Sequence, residues 1–402
     1  MEAWQRLLNY VQINTQSDEN SGSTPSTVCQ QELAKRLEEE MQSLGLERVR
    51  REESGYVYGF LSAGEGFENS PTIGLIAHID TAPDFCGENV QPRLVKNYDG
   101  GEIVQGHGRV LSPEQFPDLK EQIGNDLIVT DGSTLLGADD KAGIAEILTA
   151  CERLIKEQIP HCAIALCFCP DEEIGHGAAL LDISGFGADF AYTLDGDAVN
   201  ELNYETFNAS AAQWEIQGVN VHPGSAKDIM VNACLVAMEI NALLPPEEIP
   251  AKTEGYEGFY HLTDMSGSCD RAELKYIIRD HDEARYRERQ QRMRQIEKEI
   301  NASYGEGTAV LTITEQYRNM ACVLKDRMEI VRRAERAMEK AGLQADIRPV
   351  RGGTDGAQLS CRGLPCPNLG TGGYGFHGPY EHISIQDMEK ATEIIVNLVT
   401  EK

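Results

Sequence analysis

Gly137-Ala138-Asp139-Asp140-Lys141-Ala142-Gly143 sets two adjacent carboxylates among small residues, immediately ahead of a helical periodicity. Ile144, Ile147, Leu148, Cys151, Leu154 and Ile155 recur at the spacing of a single helix face. A carboxylate just before a helix has its backbone fixed by the helix while its oxygens stay free to bridge cations. Taken alone, Asp-Asp in this position is an ordinary helix cap. What lifts it above a cap is the company of other segments.

Working outward, the strand-like run Ile73-Gly74-Leu75-Ile76-Ala77 ends in His78-Ile79-Asp80. At a period of two, His78 and Asp80 share a face. A histidine at the end of a parallel strand stands where α/β sheets place their sites. Ile164 to Cys169 forms another apolar run, followed by Pro170-Asp171-Glu172-Glu173. Neighbouring glutamates point different ways, so one can bind a cation while the other stays free as a base. Phe190 to Leu194 leads into Asp195, and His377 lies in a glycine-rich loop, Phe376 to His382. A solvated acidic loop, a turn aspartate and an exposed loop histidine are the everyday readings of these three. Together, however, His78, Asp139, Glu173 and Asp195 all fall at strand ends or helix starts, and His377 lies on a loop able to reach them. Three carboxylates and one hydroxide balance two divalent cations beside two neutral imidazoles. Such mixed nitrogen and oxygen donors suit two Zn2+ per subunit, with Co2+ or Mn2+ as substitutes.

Strands alternating with amphipathic helices predict an α/β fold, with a mixed, largely parallel sheet and helices on both faces. Thr24-Pro25 predicts the start of a helix with the stripe Val28, Leu33, Leu37, Met41 and Leu44, and residues 83–133 read as a long surface excursion with short strands. The pattern changes near residue 207. Alternating runs at 213–221 and 273–281, a helix near 228–243 and a charged helix at 283–302 suit a smaller α+β layer with one solvated side. The first pattern returns after 317, with a helix at 326–341, a strand at 344–350 and a last helix opened by Ser384. The expected organisation is a catalytic domain of 1–206 and 318–402, interrupted by a lid or dimerisation domain at 207–317. The paired glycines at 352–353 and 372–373 read as turns.

Composition narrows the partners. The 402 residues carry 36 basic and 65 acidic side chains, a net charge of −29, which disfavours nucleic acid and anionic lipid. No apolar run reaches membrane-span length, and Met1 to Arg6 lacks the apolar core of a signal peptide. The eleven cysteines include no Cys-x-x-Cys pair and read as reduced thiols of a cytoplasmic protein. His-Glu-x-x-His, Gly-x-Ser-x-Gly and phosphate-loop signatures do not occur.

End to end, the chain resembles the peptidase T group of the co-catalytic zinc peptidases, a family that also includes carboxypeptidase G-like and aminoacylase-like enzymes. The likeness rests on Ala77 to Thr81, Leu136 to Gly143, Pro170 to Glu173, Tyr192 to Gly196, Asn220 to Gly224, Thr253 to Tyr260 and Arg351 to Gly356. The resemblance implies that Asp139 bridges two metals, one completed by His78 and Asp195, the other by Glu173 and His377. It further implies Glu172 as general base, Asp80 as the residue orienting His78, and a cis bond between Asp139 and Asp140. The implied activity is release of the N-terminal residue of small peptides, tripeptides above all. His222 is the candidate extra donor to the reacting carbonyl, and Arg279 and Arg351 the candidate clamp for a peptide carboxylate. A homodimer through the inserted domain is one arrangement the resemblance allows. The competing readings are the same chemistry as a dipeptidase, carboxypeptidase or N-acyl amino acid hydrolase, a non-catalytic metal-binding protein, and an acidic binding protein with surface carboxylates only.

Overall fold

The computed structural model describes residues 1–402, which divide into two compact units: 1–204 with 320–348 and 354–402, and 205–319 with 349–353.

In the first unit, eight strands form one sheet in the order Glu47–Arg51, Val57–Leu61, Ile164–Cys169, Ile73–His78, Phe190–Gly196, Asn368–Gly370, Glu201–Asn203, Asp346–Ile347. The four strands from Ile164–Cys169 to Asn368–Gly370 run parallel, and the pairs toward either edge include antiparallel ones. Every residue of Ile164–Cys169 is buried, as a sheet covered on both faces requires. Ile164, Leu166 and Phe168 join the large core with Ile144, Ile147 and Leu148. Ala165, Cys167 and Cys169 turn to the other face, against Leu359, Leu364 and Phe186. The helix Ala138–Glu157 lies on the sheet and is backed by the helices Ala3–Tyr10 and Ile385–Thr400. Its first residues are not helical, since Asp139 and Asp140 hold extended or irregular backbone angles, and the bond between them is cis.

A second, four-stranded antiparallel sheet joins the excursion to the C-terminal part: Gly373–Tyr374, His382–Ser384, Leu127–Val129, Arg93–Val95. It matters for the site because His377 lies in the loop joining its first two strands. In the inserted unit an antiparallel sheet runs Phe259–Gly267, Arg271–Asp280, Asn208–Gln217, Ala309–Tyr317. One face packs on the helices Ala233–Ala242 and Glu283–Tyr304 through Trp214, Leu274, Ile278, Tyr286, Met293 and Ile296.

Several local expectations are corrected. The second helix begins at Gln30, not at Pro25, and Val28 is 86% exposed rather than part of its stripe. The Thr24–Pro25 bond is cis, and Ser26 gives both its N–H and its hydroxyl to Asp171, a tertiary claim that overrides the local proline signal. The strand expected at 344–350 shrinks to Asp346–Ile347, since Pro349 has no N–H for a ladder. The strand Phe259–Gly267 and the helix Asp355–Cys361 add to the elements expected from the sequence pattern. The second follows the glycine pair 352–353, with Thr354 accepting from the Ala357 N–H as its cap. No helix is long and apolar enough to cross a membrane.

Candidate metal centre

The C-terminal ends of the parallel strands gather the candidate ligands. His78 is the last residue of its strand, and Asp195 lies near the end of the next. Glu172 and Glu173 follow Ile164–Cys169 after a short turn. Asp139 stands between the two histidines. Its Oδ1 is 2.9 Å from His78 Nε2, and its Oδ2 is 3.2 Å from His377 Nε2. Asp195 Oδ1 lies 3.4 Å from His78 Nε2, and Glu173 Oε2 2.9 Å from His377 Nε2. The five residues therefore meet as two histidine–carboxylate pairs that share Asp139.

The supporting contacts are as specific as the pairs. His78 Nδ1 is 3.0 Å from the backbone carbonyl of Asp80 and 3.4 Å from its carboxylate. This leaves Nε2 for the centre. The Asp80 carboxylate accepts from the N–H groups of Glu172 at 2.9 Å and Glu173 at 3.2 Å, so one buried aspartate orients the imidazole and also holds the Glu172–Glu173 turn. Asp171, with φ of +60°, fastens the same turn from behind, accepting from Ser26 and from Gln30 Nε2. Asp140 lies near the centre, but its oxygens accept from the N–H groups of His78 and Gly143 and brace the strand end. Lys141 points away, buried, and donates to the Ile13 carbonyl.

Electrostatics test whether a cation pair fits these donors. Burial, with repulsion from Asp139, pushes Glu173 up to about 7, despite the opposing hydrogen bond from His377. Burial raises Asp195 to about 6 against the pull of His78. Glu172 is driven well above the carboxylate range by burial and by Asp195 and Asp355. Hydrogen bonds to Asp139 and Glu173 lift His377 to about 11. Acidic groups thus crowd a buried place that two imidazoles do not neutralise. Ligand-type atoms of His78, Asp139 and Glu173, and of His78, Asp140 and Asp195, lie within 4.8 Å of one another. The donor set fits divalent cations.

The family model for "Peptidase family M20/M25/M40" matches residues 131–401. The chain belongs to this peptidase family. It is 53% identical to a peptidase T of Clostridium perfringens over 98% of this chain and 97% of the relative. To one of Desulfitobacterium hafniense it is 52% identical, over 98% and 97%. Like other M20 members, it is a hydrolase of the metallopeptidase class. The fold matches that of an aminopeptidase PepT from Bacillus cereus, with TM-score 0.78, 24% identity and 98% of each chain covered. A tripeptidase from Staphylococcus aureus gives TM-score 0.79 at 23% identity, covering 99% of this chain and 97% of the other. The M20 family includes a dinuclear metal-binding peptidase from Bacillus subtilis, whose fold this chain shares at TM-score 0.66 and 16% identity, over 99% and 98%.

The remaining residues singled out in the sequence belong to the inserted unit. His222 is exposed and caps a short turn, its Nδ1 accepting from the Gly224 N–H. Arg279 donates to the carbonyls of Ser210 and Ile278 and lies over the Tyr317 ring. Arg351 donates to the carbonyls of Gly255, Glu257 and Thr253 and to the Thr253 hydroxyl, between the rings of Phe207 and Phe259. In this state both guanidiniums are engaged by their own unit, and Arg351 serves as the fastener of the 253–257 loop. His382, the other histidine of the His377 loop, is fully buried and paired with Asp118 at 2.6 Å, so His377 alone of the two faces Asp139. Sequence reasoning passed over Asp355, which is buried, accepts from the Cys169 thiol and adds to the field on Glu172. The visible clue is its place after a glycine pair, which by itself reads as a turn.

Proposed function

We propose that this chain is a zinc-dependent tripeptide aminopeptidase, with His78 and Asp195 holding one ion, Glu173 and His377 the other, and Asp139 shared between them. The observation that carries the reading is the division of Asp139: each of its oxygens meets a different histidine. When bound, two such ions would polarise the scissile carbonyl and make a water molecule acidic near neutral pH. Co2+ or Mn2+ are workable substitutes.

The rest of the work belongs to the protein. Glu172 is the general base, taking a proton from the attacking water and returning it to the departing amine. Its side chain stays outside the two histidine pairs, and Asp80 fixes its backbone through the Glu172 N–H. The chain neighbours of His78 are buried, Ile76 in the core on one side of the sheet and Ala77 and Ile79 in the core on the other, which anchors the strand end that presents the imidazole. The expected setting is the cytoplasm, with a homodimer through the inserted unit as the proposed assembly.

The test combines metal analysis with hydrolysis of tri-, di- and tetrapeptides before and after chelation. Two ions per subunit, loss of activity on chelation and a preference for tripeptides are expected. Faster turnover of dipeptides or N-acyl amino acids would move the substrate assignment to those classes. Glu172→Gln should keep the metal content and lose 10²–10⁴-fold in kcat; retained activity would remove Glu172 from the base role.

A further inference from the structure

The fully buried carboxylates Glu146, Asp355 and Glu381 have no role in the centre as described, and only the last is tied to two of its segments. Glu381, 1% exposed, lies four residues beyond His377 in the same loop. Its Oε2 accepts from the N–H groups of Leu136 and Gly137, both at 2.7 Å, and its Oε1 from the N–H of Asp139 at 3.0 Å. Gly137, at φ +78°, turns the backbone so that these donors converge, forming a small anion-holding concavity ahead of the Ala138–Glu157 helix. The chain fills that concavity with its own carboxylate. The helix dipole favours negative charge at this end, and buried Lys141 adds attraction.

The clamp joins two ligand-bearing segments. One end grips the turn that presents Asp139; the other is covalently continuous with the loop that presents His377. We infer that Glu381 is a positioning residue that sets the placement of Asp139 relative to His377, and so tunes metal affinity at the shared site. The inference rests on the two-metal reading above. Without Glu381, three converging N–H groups lose their acceptor and the Asp139 turn is free to rotate away from one histidine.

The experiment uses the full-length chain stripped of metal. Glu381→Gln keeps the size but turns an NH2 either toward the Asp139 N–H or toward the Leu136 and Gly137 pair, so one set of bonds must fail. Zn2+ and Co2+ affinities are measured in competition with a chromophoric chelator, together with the visible absorption of the Co2+ form and the kcat and KM for a tripeptide. Expected are affinities 10–100-fold weaker, the size of effect typical for residues that orient metal ligands, and an altered Co2+ spectrum. The kcat should fall with KM within about twofold of wild type, and excess metal should restore part of it. Glu381→Asp, which keeps both acceptors but withdraws them by one methylene, should show a smaller loss in the same direction, and it carries the test if the glutamine variant does not fold. A folded variant with wild-type affinities and an unchanged Co2+ spectrum would overturn the inference while leaving the two-metal reading intact. Failure of both variants to fold would assign Glu381 to stability alone, which also overturns it. A wild-type chain that binds no divalent ion would sink the metal reading and this inference together.

Discussion

Gly143→Ala is a substitution for which two physical effects have opposite signs, and the structure decides between them. Glycine within a helix costs about 1 kcal/mol relative to alanine, so helix propensity alone predicts that the change stabilises. A Cβ at position 143, however, would sit 2.3 Å from the Leu194 carbonyl oxygen and 2.5 Å from Asp140 Oδ1. Neither neighbour is the free end of a flexible side chain. One is backbone of the Phe190–Gly196 strand, and the other is a buried carboxylate that accepts from the N–H groups of His78 and Gly143. Relieving the overlap means separating helix from sheet or displacing Asp140, and overpacking of this kind costs about 1–3 kcal/mol. With rigid neighbours the upper end applies, so the net is about 2 kcal/mol of destabilisation, or about 3–4 °C in melting temperature for a unit of this size. Because Leu194 precedes Asp195 and Asp140 braces His78, metal affinity should fall as well. Urea unfolding of wild type and variant, followed with metal removed, checks this. A midpoint for Gly143→Ala equal to or above wild type would show that the contact is soft and that propensity wins.

Other outcomes follow from polar contacts. Arg6 is 2% exposed and bonds Glu40 at 2.8 Å, Glu152 at 2.8 Å, the Met1 carbonyl and the Thr149 hydroxyl. Arg6→Met removes the guanidinium from two carboxylates that keep other partners, Glu40 the Tyr10 hydroxyl and Glu152 both Lys156 and the amino terminus, so the loss is at the lower end for breaking a buried pair, about 3 kcal/mol in a denaturant titration at pH 7. Burial alone would raise Glu152, but hydrogen bonds from Lys156, the chain's amino terminus and Arg6 bring it down to about 2. A carboxylate lowered on folding contributes fully above its ordinary value and loses that contribution as pH falls through the folded one. The stability gap between wild type and Arg6→Met should therefore narrow between about pH 4.5 and 2, and a gap independent of pH would contradict the pairing. Arg351→Lys cannot reproduce four bonds with one point charge. Hydrogen exchange near residues 253–257 should quicken about tenfold, a loss of about 1–2 kcal/mol, whereas unchanged exchange would free Arg351 for the carboxylate clamp considered from the sequence.

Much of the fold was legible because its signals are local. The apolar face of Ala138–Glu157 shows as a 3.6-residue period, and the runs ending at His78 and Cys169 are short enough to be buried strands. The gathering of five potential ligands could be argued because each follows or precedes such an element. What stayed hidden depends on partners remote in sequence. Ser26 is claimed by Asp171, which no local rule at Thr24-Pro25 could reveal. Glu381 and Asp355 look like loop acids until their backbone and thiol donors are seen. Arg351 looks like a free cation beside two glycines until the carbonyls of residues 253–257 surround it. The strand Phe259–Gly267 has mostly exposed side chains past its first two, so it offers no apolar alternation to read.

The hairpin between Gly373 and Ser384 has a consequence for biogenesis. Because it brings His377 to Asp139, a ribosome must release nearly the whole polypeptide before the centre can close, while the strands and helices of the inserted unit, all between Asn208 and Tyr317, emerge earlier. On the two-metal reading, ion uptake would then come last in maturation, because a nascent chain halted before Gly373 still lacks both His377 and the helix Ile385–Thr400 that backs Ala138–Glu157.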